Sequence, residues 1–150
     1  MALKRLQNEL LHFQREPADN ISAAPVDPAN LFDWRCAVLG PPGTPYAGGL
    51  FFVRATFTAE YPVKPPKVVF ESKVYHANVN SGNGAICLDV LNESAWSPAM
   101  TLASVLLSVV NLLADPNPDD PLVSEIAVQY VRDRATHDRT AREWTQRFAM

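Results

Sequence analysis

The feature that most constrains this chain is a change in its hydrophobic period along its length. Leu3, Leu6, Leu10 and Phe13 recur at steps of three and four, with Lys4, Arg5, Asn8 and Arg15 between them. That is the spacing of a helix with one dry face. Pro17 closes the helix, since its ring fixes φ and disfavours a helical residue before it. The period then becomes two. Phe32, Trp34, Cys36 and Val38 alternate with Asp33 and Arg35, as a half-buried strand requires. Gly40-Pro41-Pro42-Gly43 turns the chain, Gly48-Gly49 opens a second run from Leu50 to Phe57, and Val68-Val69-Phe70 makes a third. Short runs joined by turn-rich links predict an antiparallel meander. Residues 72–100 keep no period and are rich in Asn, Ser, Gly and Pro, which predicts a long ordered loop of the kind that carries function. Thr101 then caps an almost wholly apolar helix reaching Ala114, buried on most sides. The segment Asp115-Pro116-Asn117-Pro118-Asp119-Asp120-Pro121 stops it. A helix from about Pro121 to Arg132 follows, then one from about Arg134 with Ala141, Trp144 and Phe148 on one face. Helix, sheet, irregular stretch, helices: that order predicts a single α+β domain over residues 1–150.

Composition narrows the function. Hydrophobic residues make up 47% of the chain and charged ones 19%, which suits a folded globular protein rather than a disordered one. Met1 to Glu16 is charged and amphipathic, unlike a secretory signal, and the apolar run near Leu102–Ala114 is too short to span a bilayer. Two cysteines, Cys36 and Cys87, are too few for a disulfide framework, so a reducing compartment, cytoplasm or nucleus, is expected. Net charge is −3, but no Lys or Arg stands between Val74 and Val131, where Asp89, Glu93, Asp115, Asp119, Asp120 and Glu125 all fall. The middle of the chain should therefore be a negative surface. A basic groove interleaved with aromatics is missing, which argues against nucleic acid as a partner.

Cys87 stands in Ile86-Cys87-Leu88-Asp89, between a loop holding Gly82 and Gly84 and the polar Asn92-Glu93-Ser94. A cysteine between Ile and Leu is readily a small core residue, but its irregular, polar flanks place it better to react. Cys36, on the dry phase of a strand, reads as structural. A hydrolase would need a histidine base and a thiolate favoured by positive surroundings. Of the three histidines, His12 and His137 lie on helical segments and are expected in solvent, and His76 has no distinctive partner spacing. Nearby acids would raise the thiol pKa, not lower it. Two Cys and three His show no metal-ligand spacing, so no metal is expected. An unactivated thiol can still carry an acyl group received from an activated donor, trading one thioester for another. Attack by an amine then develops an oxyanion, for which Asn78, Asn80 or Asn83 could offer an amide; each could equally be a turn residue bonding its own backbone. Carboxylates there would attract and orient a cationic lysine.

These residues resemble a known family. His76-Ala77-Asn78, then Cys87 in Ile-Cys-Leu-Asp, then Trp96-Ser97-Pro98, is similar to the core signature of ubiquitin-conjugating enzymes. The likeness extends through Gly40-Pro41-Pro42-Gly43-Thr44-Pro45-Tyr46, Tyr61-Pro62 with Pro65-Pro66, and Asp115-Pro116-Asn117-Pro118, and is strongest with the small, broadly acting branch. The resemblance implies a four-stranded meander with a buried central helix and two C-terminal helices. It implies that Cys87 takes ubiquitin from an activating enzyme as a thioester and passes it, with a ubiquitin ligase, to a substrate lysine. Asn78 would steady the oxyanion or the loop itself; Asp120 and Asp89 would flank the lysine, although Asp120 before Pro121 could serve only as a helix N-cap. Lys4, Arg5, Val63, Ser97, Pro98 and Ala99 match the ligase-docking surface, and Ser22 a rear-sheet position for a second, non-covalent ubiquitin. No cofactor is implied on the chain, since ATP is used upstream by the activating enzyme; a monomer is expected, and no membrane partner. The alternatives are a ubiquitin-like modifier as cargo, or a weakly catalytic ubiquitin-binding scaffold.

Three departures carry expectations. The family tripeptide is His-Pro-Asn, and Ala77 in place of proline should loosen the turn holding Asn78. Val63 stands where this branch has phenylalanine, which favours RING-type ligases over thioester-forming ones. The loops on either side of Cys87 are each about one residue longer than in this branch, and nothing physical explains them. At Tyr61-Pro62 and Pro65-Pro66 the sequence leaves a cis bond open without requiring one.

Overall fold

The computed structural model describes residues 1–150. Helix α1 spans Ala2–Arg15 and ends just before Pro17, as its spacing predicts. Strands β1 (Ile21–Asp27), β2 (Asn30–Leu39), β3 (Leu50–Thr56) and β4 (Lys67–Phe70) form one antiparallel sheet in chain order. Cys36 pairs with Ala23 on one side and Val53 on the other. Strand β1 has no clear period of two in sequence, because Ser22, Ala23, Ala24 and Pro25 are small or unable to donate. It is an edge strand, where such residues are tolerated, and its ladder shifts register between Pro25 and Asp27.

One side of the sheet is dry. Trp34, Cys36 and Val38 of β2, Phe51, Val53 and Ala55 of β3, and Val68 and Phe70 of β4 pack with Leu6 of α1 and with Leu102, Val105, Leu106, Val109 and Leu113 of helix α2, Leu102–Ala114. Thr101 caps α2 as predicted, its hydroxyl accepting from the Ser104 N–H while Ser104 returns a bond to the Thr101 N–H. The helix is not enclosed all round, since Leu107, Asn111 and Ala114 face outward. Residues 71–101 are irregular apart from isolated bridges and a single 3-10 turn, Asp89–Leu91. No helix is long and apolar enough to cross a membrane.

Two expectations about the C-terminal helices are corrected. Helix α3 runs Ser124–Arg132, not from Pro121. The Leu122 and Val123 N–H groups both donate to the Ala77 carbonyl, which holds that stretch outside the helix and leaves Asp120 no capping role. Helix α4, Arg134–Phe148, buries His137, Ala141 and Thr145, while Trp144 and Phe148 stack beside that row and Phe148 stays exposed. His137 is not in solvent: it lies between the Tyr75 and Tyr130 rings, its Nδ1 2.8 Å from Asp138 Oδ1. The Tyr61-Pro62 bond is cis.

Candidate active site

The Cys87 loop is built as a short hairpin pinned to the end of β4. The Phe70 N–H donates to the Gly84 carbonyl and the Gly84 N–H to the Asn80 carbonyl, while Asn80 reaches Ala85. Gly84 has φ +76°, and a Cβ there would meet the Phe70 carbonyl oxygen at 2.0 Å, so glycine is needed for both the turn and the close approach. Asn80 and Asn83 are turn residues: their side-chain oxygens accept from the Gly82 and Ala85 N–H groups at 2.8 and 2.9 Å.

Asn78 behaves differently. Its backbone carbonyl accepts the Cys87 N–H at 2.9 Å. Its side-chain NH2 donates to the carbonyls of Asn117 (2.9 Å) and Asp120 (3.1 Å), and its Oδ1 accepts the Asn117 N–H at 2.8 Å. Buried Asn78 thus ties the thiol's loop to the acidic segment between α2 and α3. Both amide hydrogens are engaged in doing so.

His76 completes the tie. Its Nδ1 accepts the Asn78 N–H at 2.9 Å and its Nε2 lies 2.7 Å from the Leu112 carbonyl near the end of α2. Accepting at one nitrogen and donating at the other is what a neutral imidazole does. Burial drives its pKa down to about 4, with the Leu112 bond only partly opposing that shift. Neither nitrogen is free to act as a base. Sequence spacing offered no sign of this role.

The Cys87 thiol is half-buried, with Sγ 3.7 Å from Asp120 Oδ2. Its pKa is raised, first by burial, then by the charge and hydrogen bond of Asp120, then by the charge of Asp89. Cys36 is a core residue, pushed up to about 12 by burial and then by Glu71. Asp89 opens the 3-10 turn and is exposed, as are Glu93, Asp115, Asp119, Asp120 and Glu125, so the region is the negative surface read from the sequence.

Elsewhere, Lys4, Val63, Ser97, Pro98 and Ala99 are exposed, and Ser22 is exposed on β1. Arg5 is turned inward. Its guanidinium donates to the Met100 carbonyl at 2.8 Å and to Glu9 at 3.1 Å. Buried Glu9 also accepts from the Tyr61 hydroxyl (2.5 Å) and the Leu102 N–H (2.7 Å). Sequence did carry a signal for Glu9, which stands on the dry phase between Leu6 and Phe13. The Trp96 Nε1–H donates to the Pro62 carbonyl at 2.8 Å, so the Tyr61–Lys67 and Ser97–Met100 segments are locked together.

The family model described as ubiquitin-conjugating enzyme matches residues 5–145. A crystal structure named for a ubiquitin conjugating enzyme of Plasmodium yoelii is similar at 44% identity and a TM-score of 0.92, covering 99% of this chain and 96% of that one. The E2 domain of a Toxoplasma gondii ubiquitin conjugating enzyme is 39% identical, with a TM-score of 0.91 and 100% of both chains covered. The α+β architecture expected from the sequence is therefore the fold of these proteins, and this chain belongs to the ubiquitin-conjugating enzyme family.

Proposed function

We propose that Cys87 accepts the C-terminal carboxyl of ubiquitin as a thioester from an activating enzyme and passes it to a lysine. The observation that carries this reading is a half-buried thiol facing Asp120 at 3.7 Å while both nitrogens of His76 are committed. Such a thiol is poorly ionised, unsuited to attacking an amide, and sufficient for exchange with a thioester. In the first step Cys87 sulfur bonds the acyl carbon, the bond to the donor's sulfur breaks, and the Cys87 proton passes, directly or through water, to the departing thiolate. In the second the lysine nitrogen bonds that carbon, the Cys87 thiolate leaves, and a proton passes from the amine to Asp120 or to water.

Asp120 and Asp89 attract and orient the lysine. Asn78 acts by holding the Asn117–Asp120 segment at the thiol, since an oxyanion could claim its amide only by displacing one of the two carbonyls. The chain binds no cofactor of its own, and ATP is consumed by the activating enzyme. Lys4, Val63, Ser97, Pro98 and Ala99 face an incoming ligase; Arg5 positions that surface by holding Met100. Ser22 marks a rear face for a second ubiquitin. Val63 favours RING-type ligases.

The test is incubation with activating enzyme, ATP and ubiquitin. A thiol-reducible adduct that vanishes in Cys87→Ala supports the reading. An adduct with a ubiquitin-like modifier alone reassigns the cargo, and no adduct with any modifier leaves a binding scaffold.

A further inference from the structure

Tyr75, the residue before the His76–Asn78 turn, makes more attachments than packing an aromatic ring requires. Its ring lies against His137 and Trp144 of α4, with centroids 5.6 and 5.3 Å apart. Phenylalanine would pack there as well, since aromatic pairs need only the rings. The tyrosine hydroxyl adds a directed bond, donating to Gln129 Oε1 of α3 at 2.5 Å. From the other side the hydroxyl of buried Tyr46 donates to the Tyr75 carbonyl at 2.5 Å. Tyr75 is thus held at once to both C-terminal helices and to the loop between β2 and β3.

The placing of these bonds matters for the thiol. At the start of α3 the Leu122 and Val123 N–H groups hold the Ala77 carbonyl. Gln129 lies six residues after Val123, about 9 Å along the axis at helical rise. One attachment leaves a turn free to pivot on the helix; a second, set apart from the first, fixes its orientation. The turn lacks the stiffness of a proline ring, because residue 77 is alanine, so its restraint comes from neighbours. The turn carries Asn78, whose amide donates to the Asn117 and Asp120 carbonyls and whose own carbonyl accepts the Cys87 N–H. A tilt at Tyr75 therefore moves Asp120 relative to the sulfur, from which its Oδ2 stands 3.7 Å away. A misplacement of about 1 Å at a reacting centre costs up to about 10²-fold in rate.

We propose that Tyr75 is a positioning residue for transfer to lysine: through its hydroxyl on Gln129 and its ring on α4, the C-terminal helices set the orientation of the turn that holds Asn78 and Asp120 at the thiol. The hydroxyl is committed to Gln129, so Tyr75 acts through the turn and not on the reacting atoms. This rests on the reading of Cys87 as an acyl carrier to lysine.

The experiment is single-turnover discharge of the Cys87–ubiquitin thioester to free lysine, each rate taken per loaded enzyme so that unfolded chains do not count. Tyr75→Phe keeps the ring and removes the hydroxyl; Gln129→Leu removes the acceptor; Gln129→Glu keeps one. The first two are each expected to slow discharge about two- to tenfold, the range a single neutral hydrogen bond supplies. Combined, they should be no slower than either alone, because both remove the same bond, and Gln129→Glu should stay within about twofold of the unaltered chain. A residue that served stability alone would show none of this pattern once loading is equalised. Unchanged discharge in Tyr75→Phe, losses that multiply in the double variant, or equal losses in Gln129→Leu and Gln129→Glu overturn the proposal. Failure of the unaltered chain to form any thioester removes the carrier reading itself, and the two failures are distinguishable.

Discussion

Burial and two carboxylates act on the Cys87 thiol in the same direction. Because the thiol pKa is raised, first by burial and then by Asp120 and Asp89, alkylation by iodoacetamide should rise with pH only above the ordinary thiol range. Asp120→Asn removes one negative charge and an acceptor 3.7 Å from sulfur. Alkylation at pH 8 should then speed up by about two- to threefold, a modest factor because solvent screens the pair. An unchanged rate would mean that Asp120 does not act on the thiol. The same substitution should slow discharge to lysine, so reactivity toward alkylating agents and transfer to an amine move in opposite directions. An arrangement tuned for a nucleophilic hydrolase would move both together.

At the level of elements, the turn His76–Asn78 joins the thiol loop, the α2 end and the segment before α3. Ala77 is fully buried, its carbonyl accepts the Leu122 and Val123 N–H groups, and its own N–H has no partner within the protein. Proline has no such group to leave unpaired and is stiffer when unfolded. Ala77→Pro should raise stability by about 1 kcal/mol in urea unfolding and quicken thioester discharge. A loss of stability would show that the backbone at Ala77 does not suit the ring. His76 gives this turn a pH dependence. Its folded pKa, about 4, lies below the ordinary 6.5, so the unfolded chain binds the extra proton between those values. The stability it contributes is fully present above pH 6.5 and is lost as pH falls toward 4, with a slope of up to about 1.4 kcal/mol per pH unit. Thermal unfolding across that window measures it, and His76→Gln should flatten the slope.

Across the whole molecule, Glu9 is the joint between α1, the Tyr61 turn and the start of α2. Its carboxylate takes the Tyr61 hydroxyl, the Leu102 N–H and the Arg5 guanidinium. Glu9→Ala leaves buried donors unpaired and should cost about 3 kcal/mol in chemical denaturation. The loss should also free the Ser97–Met100 segment from Arg5 and weaken ligase-stimulated discharge more than unstimulated discharge. Equal effects on both would make Glu9 a stability residue alone.

What residue order alone determined is the set of elements and the candidates for the site. Periods of 3.6 and 2, the Thr101 cap and the proline breaks are local properties, and they gave α1, β2, β3, β4 and α2 nearly as observed. Cys87 was legible because its flanks break every period, and Asp120 and Asp89 because a stretch without a single Lys or Arg stands out in one dimension. Strand β1 escaped because an edge strand of small residues needs little hydrophobic pattern. Only the tertiary structure shows which partners His76, Asn78, His137, Arg5 and Glu9 hold. Each is decided by partners far along the chain: Asn117 and Asp120 for Asn78, Leu112 for His76, Met100 for Arg5, Leu102 and Tyr61 for Glu9. The start of α3 was decided in the same way, by a bond from Leu122 back to Ala77. A hydrogen bond between segments forty residues apart leaves no period in either, so only the folded chain reveals it.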